Sequence, residues 1–582
     1  MFKNAFCRKS ETTGNLLLWL VNIYFHDRFL IYYSGRKVTL SKKDSLIKGT
    51  IVLAIAAFIA RFLGLFQKVP LQNMLGDTGM ATFNIANSIY FLLLMIATAG
   101  VPVAISKLVS ERVAIGKFAE AHRIYVASIK FAIFAGLFMT ALLWFASDYY
   151  ATNIAEDKDA VLAIRALAPA LLFFPVIAIM RGYFQGRQQM MGNGISQIVE
   201  QIVRVIVSVG LVSLFLFIGI SKKVAIAGAT FGGVVGGIAA LIVLLFYWRK
   251  LKKQDSKDQQ LHKTNDKKLE ASESLTYRKI YAMIFKISGP VILIAIIVPA
   301  INFIDSSTVI SLLEGKLGYD GAKEMLGILQ SRAQPLAGLP IIFSIAISQS
   351  ILPIISSAYA KKDQLVLNRQ TSLALRMSIL FSMPIILVIC IAAEPINGLL
   401  FKNTVGTSVI IYLTASTIFQ VLMMTSGTIL MGLGQFKRPM IHVSIGVLLK
   451  VAGNFLLAPW LGIDGIILST AISFSIVMIL NLSYLKQTVS YTVLGKKWIG
   501  TIVSSILLIG VGYLIILFNE SIVQYSIDRI TYLVHSLILG PIIGILYLLF
   551  MIKFRVITEN DIRHLPGKAQ KVMEKVLRII NR

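Results

Sequence analysis

Cysteine is nearly absent from this chain. Two residues, Cys7 and Cys390, stand far apart among 582, which excludes a disulfide framework or a thiolate metal centre and leaves both expected to be inert. Histidine is scarce too, six residues scattered so that no cluster has metal-ligand spacing. Acid is short as well, with 28 Asp and Glu against 57 Lys and Arg, and charged residues of both signs make up only 15%, where soluble domains carry roughly 25%. A Gly-rich phosphate loop with a following Lys is missing, so the chain lacks the signature of an ATP-driven pump. The loops between apolar runs are too short for a catalytic domain. No enzyme, cofactor or metal is expected, and transport is the default reading.

What is present is hydrocarbon: 56% hydrophobic residues and a mean hydropathy of +0.76, the composition of a polytopic membrane protein. Apolar runs of the ~20 residues that a span needs fall near 48–70, 81–106, 124–146, 160–181, 195–218 and 224–248. A second series falls near 280–304, 328–355, 371–393, 408–432, 439–459 and 463–485, and two more near 498–518 and 530–552. The formal charge of +29 does not point to nucleic acid, because the cations cluster between alternate runs. Residues 1–48, 249–279 and 553–582 hold 27 of the 57, and the positive-inside rule makes those segments cytoplasmic. The acid-rich stretches Ser147–Asp159 and Ser311–Gly327 then face outward, and both termini lie inside.

The expected fold is all-α, with fourteen transmembrane helices in two six-helix lobes plus two C-terminal helices. Its organisation reads as a leader over 1–45, disordered or interfacial, an N-lobe over 46–249, a linker over 250–279, a C-lobe over 280–486, the last two spans over 487–555 and a basic tail over 556–582. The lobes look like weak copies of one another. Gly186, Gln189 and Arg204 align with Gly432, Gln435 and Lys450, Val101-Pro102 with Leu352-Pro353, and Ile226-Ala227-Gly228 with Ile463-Asp464-Gly465. Each lobe starts on the same side, so the repeat is parallel about an axis along the membrane normal, with a cleft between the lobes.

Polar residues inside apolar runs carry the functional reading. Arg61 costs roughly 2.5–3.5 kcal/mol in hydrocarbon, and Lys68 follows two helical turns later on the same face, about 10 Å away. Arg332, near the start of the eighth span, would converge on them across the cleft. Three cations without equal acid suit a pyrophosphate, whose oxygens a guanidinium binds bidentately. Each has an alternative role: snorkelling for Arg332, an ion pair with Asp305 for Arg61, an interfacial anchor for Lys68. Asp305 could hold a coupling cation or neutralise a neighbouring Arg. Asn84 and Asn87 would line the cavity or bond between helices. Glu200 and Arg204 read as a local helix pair, and Gly228–Gly237 as close helix packing.

The strings ARFLGLFQK and LGDTGMATF, then RGYFQG, then SRAQPLAGLPIIFSIAISQSILPIIS, on a plan of six, six and two spans, resemble the MurJ-type lipid II flippases. They resemble more particularly the polysaccharide-transporter and stage V sporulation protein B branch of the multidrug, oligosaccharidyl-lipid and polysaccharide exporter superfamily, over residues ~45 to ~555. The resemblance implies translocation of undecaprenyl-pyrophosphate-linked peptidoglycan precursor across the bacterial cytoplasmic membrane by alternating access. The last two spans would supply a groove for the lipid tail. It makes Arg61 and Arg332 cavity arginines and puts Lys68 at a second first-span cation. Two departures stand out: Ser331 where relatives carry an acid, and Asn84 and Asn87 where they carry basic residues. Membrane lipids and a lipid-linked oligosaccharide are the implied partners, with cell-wall synthesis machinery as a neighbour and a monomer as the working state. Competing readings are a flippase for another undecaprenyl-linked polymer (capsule, teichoic or spore), a cation-coupled drug antiporter, and a scaffold of cell-wall synthesis.

Overall fold

The structure, a computed structural model, describes residues 42–262, 276–401, 403–495, 497–522 and 529–556. The leader up to residue 41, part of the linker and the tail past 556 lie outside the described residues, as do the expectations made for them. Contacts divide the chain into two compact units, Met1–Ile51 and Val52–Arg582, and the geometry that follows belongs to the second.

Helix follows helix, with no strand among the described residues. The first half comprises α1 (Lys42–Thr98), α2 (Val101–Ala114), α3 (Phe118–Tyr149), α4 (Ala160–Leu167), α5 (Ala170–Gly186), α6 (Met190–Phe217) and α7 (Lys222–His262). The second comprises α8 (Tyr277–Ala295), α9 (Ile297–Gly327), α10 (Gln334–Ala360), α11 (Gln364–Ile391), α12 (Ala393–Phe401), α13 (Thr407–Gly432), α14 (Lys437–Leu461) and α15 (Ile463–Lys486). A π-helical stretch, Ile328–Ala333, joins α9 to α10, and α16 (Lys497–Ile522) and α17 (Arg529–Lys553) complete the chain.

Twelve helical stretches among the described residues are long and apolar enough to cross a membrane. The two longest, Phe62–Ala114 and Ile297–Ala360, each hide a reversal at one glycine: Gly76 with φ 71° and ψ 178°, and Gly318 with φ 70° and ψ 168°. That region of backbone space is essentially closed to residues with a Cβ. Side chains bond symmetrically about Gly318, Ser306 with Gln330 and Asn302 with Gln334, so the helix folds back on itself there. Splitting each long stretch at its glycine adds two, which makes fourteen passes. Both glycines sit in the same frame, Leu75-Gly76-Asp77-Thr78-Gly79 and Leu317-Gly318-Tyr319-Asp320-Gly321. The acid-rich segment Ser311–Gly327 is therefore helical and not the loop its charges suggest, because Glu, Lys, Leu, Ala and Met all favour helix and only Gly318 interrupts. For the same reason α7 continues to His262, into the expected linker.

The halves repeat each other in packing as well as in sequence. Gly186 of α5 meets the Ser106 carbonyl and Val109 of α2, and Gly432 of α13 meets Ile355 and the Leu352 carbonyl of α10. In each half the fourth pass thus crosses the second with backbone nearly touching backbone, as small residues allow in hydrocarbon. The glycine stretch on α7 serves the same end: a Cβ at Gly236 would come within 2.8 Å of the Glu200 carbonyl on α6. The last two helices pack on α11, where Tyr547 donates to the Leu380 carbonyl at 3.4 Å. On α16, Ile499, Ile502, Ile506, Ile509 and Tyr513 are exposed at helical spacing while Thr501, Ser504 and Ser505 are buried. That is the pattern of a helix with one face in lipid.

Candidate functional site

A cavity of about 490 Å³ lies between the halves. The hairpin of α1 supplies one wall from both of its arms, Gly64, Gln67 and Lys68 before Gly76 and Asn84, Asn87 and Ser88 after it. Helix α6 adds Gln201 and Arg204, and the opposite half adds Asn302, Gln330 and Gln334. Seven of the lining side chains are Asn or Gln, two (Lys68 and Arg204) are cations, and none among the described residues is Asp or Glu. The wall is thus rich in paired donors and acceptors, with positive charge and no carboxylate.

The structure brings some of the expected residues together and takes others elsewhere. Lys68 lines the cavity and donates to the Gln330 carbonyl at 2.9 Å, so the first and eighth passes do face each other. Asn84 lines it too and donates to Ser331 Oγ at 2.5 Å, while Asn87 donates to the Phe83 carbonyl at 2.7 Å. Arg61 lies on α1, but its side chain is outside the described residues.

Arg332 departs from the expectation of a cavity ligand. It is 1% exposed, neither in the cavity nor snorkelling. Its Nε donates to Asp77 Oδ1 at 2.7 Å and its Nη2 to Asp77 Oδ2, while Nη1 reaches Asn403 Oδ1 at 2.5 Å and the Val405 carbonyl at 3.2 Å. The π-helical turns around it point Gln330 into the cavity, Ser331 at Asn84 and Arg332 at Asp77. Between the apolar runs 48–70 and 81–106 Asp77 carries no signal of its own in the sequence; it sits beside Gly76, where the first reversal delivers it to the other half.

Asp305 is paired through one carboxylate oxygen. Lys450 Nζ pairs with its Oδ1 at 2.7 Å, Asn454 donates to the same oxygen at 3.1 Å, and the ammonium also reaches the Ile466 carbonyl at 3.0 Å and Thr470 Oγ1 at 2.7 Å. Among the described side chains the cation that pairs with Asp305 is thus a lysine of the same half. Glu200 and Arg204 do pair, at 2.9 Å, but Arg181 of α5 takes the other carboxylate oxygen at 2.9 Å.

Polar contacts between the halves gather at the Gly76 and Gly318 end. Besides Asp77–Arg332 and Asn84–Ser331, Lys323 Nζ meets Asp157 Oδ1 at 2.8 Å and Tyr150 Oη lies 3.1 Å from Ser307 Oγ. Asn73 donates there to the Leu400 carbonyl at 3.0 Å. Towards the other end Tyr281 Oη donates to the Ala127 carbonyl at 3.1 Å, and Arg123 and Lys130 lie over the Tyr277 ring at 5.4 and 5.2 Å from its centroid. A second, smaller cavity of about 330 Å³ lies between α1 and α10, lined by Gly64, Lys68, Gln334, Pro335, Gly338, Leu339 and Ile342. It shares Gly64, Lys68 and Gln334 with the first.

Two repeated helical halves around a polar chamber define a multi-pass membrane transporter. The chain belongs to the polysaccharide biosynthesis protein family, which it matches over residues 46–359. Its fold is the MurJ-type fold of the multidrug, oligosaccharidyl-lipid and polysaccharide exporter superfamily. It is 29% identical over 545 residues to the uncharacterized membrane protein YabM of Bacillus subtilis (strain 168), covering 92% of this chain and 98% of that one. It is 27% identical over 480 residues to the lipid II flippase MurJ of the same organism, covering 79% and 87%. Stage V sporulation protein B, also of that organism, is 25% identical over 530 residues, 90% of this chain and 98% of its own. Among solved structures, a lipid II flippase MurJ in an inward closed conformation superposes with a TM-score of 0.63 at 17% identity, over 87% of this chain and 99% of that one.

Proposed function

We propose that the protein is a flippase that carries lipid II, the undecaprenyl-pyrophosphate-linked peptidoglycan precursor, across the bacterial cytoplasmic membrane for cell-wall growth. The observation that supports this is the lining of the chamber, in which Lys68 and Arg204 stand among seven amides with no described carboxylate. Cations suit phosphate oxygens, Arg204 sharing the one carboxylate of Glu200 behind the wall with Arg181, and amides suit the hydroxyls and peptide bonds of a glycopeptide head group. Arg61 keeps its place in the proposal from the sequence alone. The smaller cavity between α1 and α10 would let a prenyl chain remain in lipid while its head group enters, and α16 and α17 would hold the tail. The basic end would face the cytoplasm with both termini, and the Gly76 end would face outward. Without a nucleotide site in the sequence, membrane potential is the candidate drive, at about 2.3 kcal/mol per charge per 100 mV.

The amide lining fits glycans generally, which supports a second reading: a flippase for another undecaprenyl-linked polymer. Depleting the protein in its own organism and identifying the undecaprenyl-linked species that builds up on the inner leaflet separates the two. Accumulation of lipid II by several-fold is the expected result. A rise only in a capsule, teichoic or spore-polymer intermediate would establish the second reading, and no accumulation of any such lipid would refute both.

A further inference from the structure

Two donors in the chamber have no acceptor. Tyr90 is 2% exposed and lines the cavity, yet its hydroxyl has no hydrogen-bond partner, and the Nε of Arg204 is likewise buried and unpaired. Both side chains pack on the same ring. Tyr90 meets Phe174 edge to face at 6.2 Å between centroids, and the Arg204 guanidinium lies 5.6 Å from the Phe174 centroid, so the two donors share one corner of the chamber. Charge is unbalanced in that corner too, since the single carboxylate of Glu200 is divided between Arg181 and Arg204.

Packing alone does not account for these groups. A phenylalanine at position 90 would fill the same space against Phe174, and a lysine at 204 would keep the pair with Glu200. Leaving a buried donor unmade is costly and uncommon in native proteins. Donors left unsatisfied on two residues that line a chamber of like character await a ligand rich in acceptors.

We propose that the Tyr90 hydroxyl and Arg204 Nε form an anion subsite that binds the phosphate oxygens of the lipid-linked substrate. This rests on the flippase reading and deepens it: the phosphate-binding arginine on the described wall is Arg204 of the sixth helix, not Arg332. Tyr90 supplies one O–H donor and Arg204 a second donor that lysine cannot reproduce at the same place.

The test uses the purified full chain in lipid nanodiscs, with farnesyl pyrophosphate, farnesyl phosphate and farnesol as probes. The wild type is expected to bind in that order of affinity. Tyr90→Phe and Arg204→Lys should each weaken pyrophosphate binding by roughly tenfold or more while farnesol binding is unchanged, and Arg165→Ala, outside the chamber, should bind as wild type. Ligand-free Tyr90→Phe should melt no lower than wild type, because it loses no native bond. If both variants bound pyrophosphate as tightly as wild type, or if Tyr90→Phe melted several degrees lower, the subsite would be wrong and the flippase reading untouched. A wild type that failed to prefer the phosphorylated probes would overturn both.

Discussion

Lys450 is 0% exposed, and its ammonium is held by a carboxylate of α9 and by a carbonyl and a hydroxyl of α15. Such a group is stable only in company. Removing one member of a buried pair leaves an uncompensated charge and costs about 3–5 kcal/mol, whereas replacing both with apolar residues of similar volume is often nearly neutral. Asp305→Leu and Lys450→Met are therefore each expected to lower the melting temperature of the solubilised protein sharply, and the double substitution to recover most of the loss. Additive losses would mean that the pair does not act as a unit. This cluster also marks the limit of what a one-dimensional reading could find. Lys68, Asn84 and Asn87 were legible because a polar residue inside an apolar run stands out by itself. The partners Asp77, Asp157 and Lys450 were not, since each acquires its meaning from a helix more than a hundred residues away. Tyr90 was hidden differently: a tyrosine among Ile, Phe and Leu looks like core until its hydroxyl is found without a partner.

The two reversals do the most for the architecture with the least sequence. At Gly76 and Gly318 a Cβ meets no neighbour within 4 Å, so the demand there is conformational and not steric. Gly76→Ala and Gly318→Ala should each cost about 1–3 kcal/mol through backbone strain. Gly210→Ala and Gly510→Ala form the matched comparison, being in helices with open space and no positive φ; they should be neutral or stabilising by up to about 1 kcal/mol. Thermal unfolding of the four variants checks the contrast, and equal shifts would remove the special role of the reversals. Span positions were readable from hydropathy because hydrocarbon imposes length and composition on whatever crosses it. The reversals were not, because charges between apolar runs read as loops, whereas around Gly76 and Gly318 they ride on helical turns. The shared Leu-Gly-x-x-Gly frame was the signal that could have located both.

At the scale of the whole molecule apolar packing joins the halves towards one end, where Gly100 lies against the Ser288 backbone. The described ion pairs between them lie towards the other: Lys323–Asp157, with side chains 8% and 1% exposed, and Asp77–Arg332, with 10% and 2%. Gly327 tightens it, since a Cβ there would overlap the Asp77 carbonyl. A transporter that alternates must release these contacts to expose the chamber on that side, so the pair sets how much of the population is closed there. A bond worth about 3 kcal/mol corresponds to roughly a hundredfold in that equilibrium. Ser331 is a suitable reporter, fully buried and bonded to Asn84 beside the latch. In a chain with Cys7→Ser and Cys390→Ser, Ser331→Cys should react slowly with a membrane-impermeant thiol reagent applied to the outside of cells. Adding Asp77→Asn or Arg332→Ala should speed that reaction at least tenfold, while breaking Lys450–Asp305, which lies within one half, should not. Since an acid at position 77 would repel a phosphate, faster labelling in Asp77→Asn separates gating from substrate binding. If the thiol reacted equally fast with the latch intact, the ion pair would be only a packing feature and the closure of that end would lie in apolar contacts such as the stacked rings of Tyr150 and Phe303, 5.4 Å between centroids.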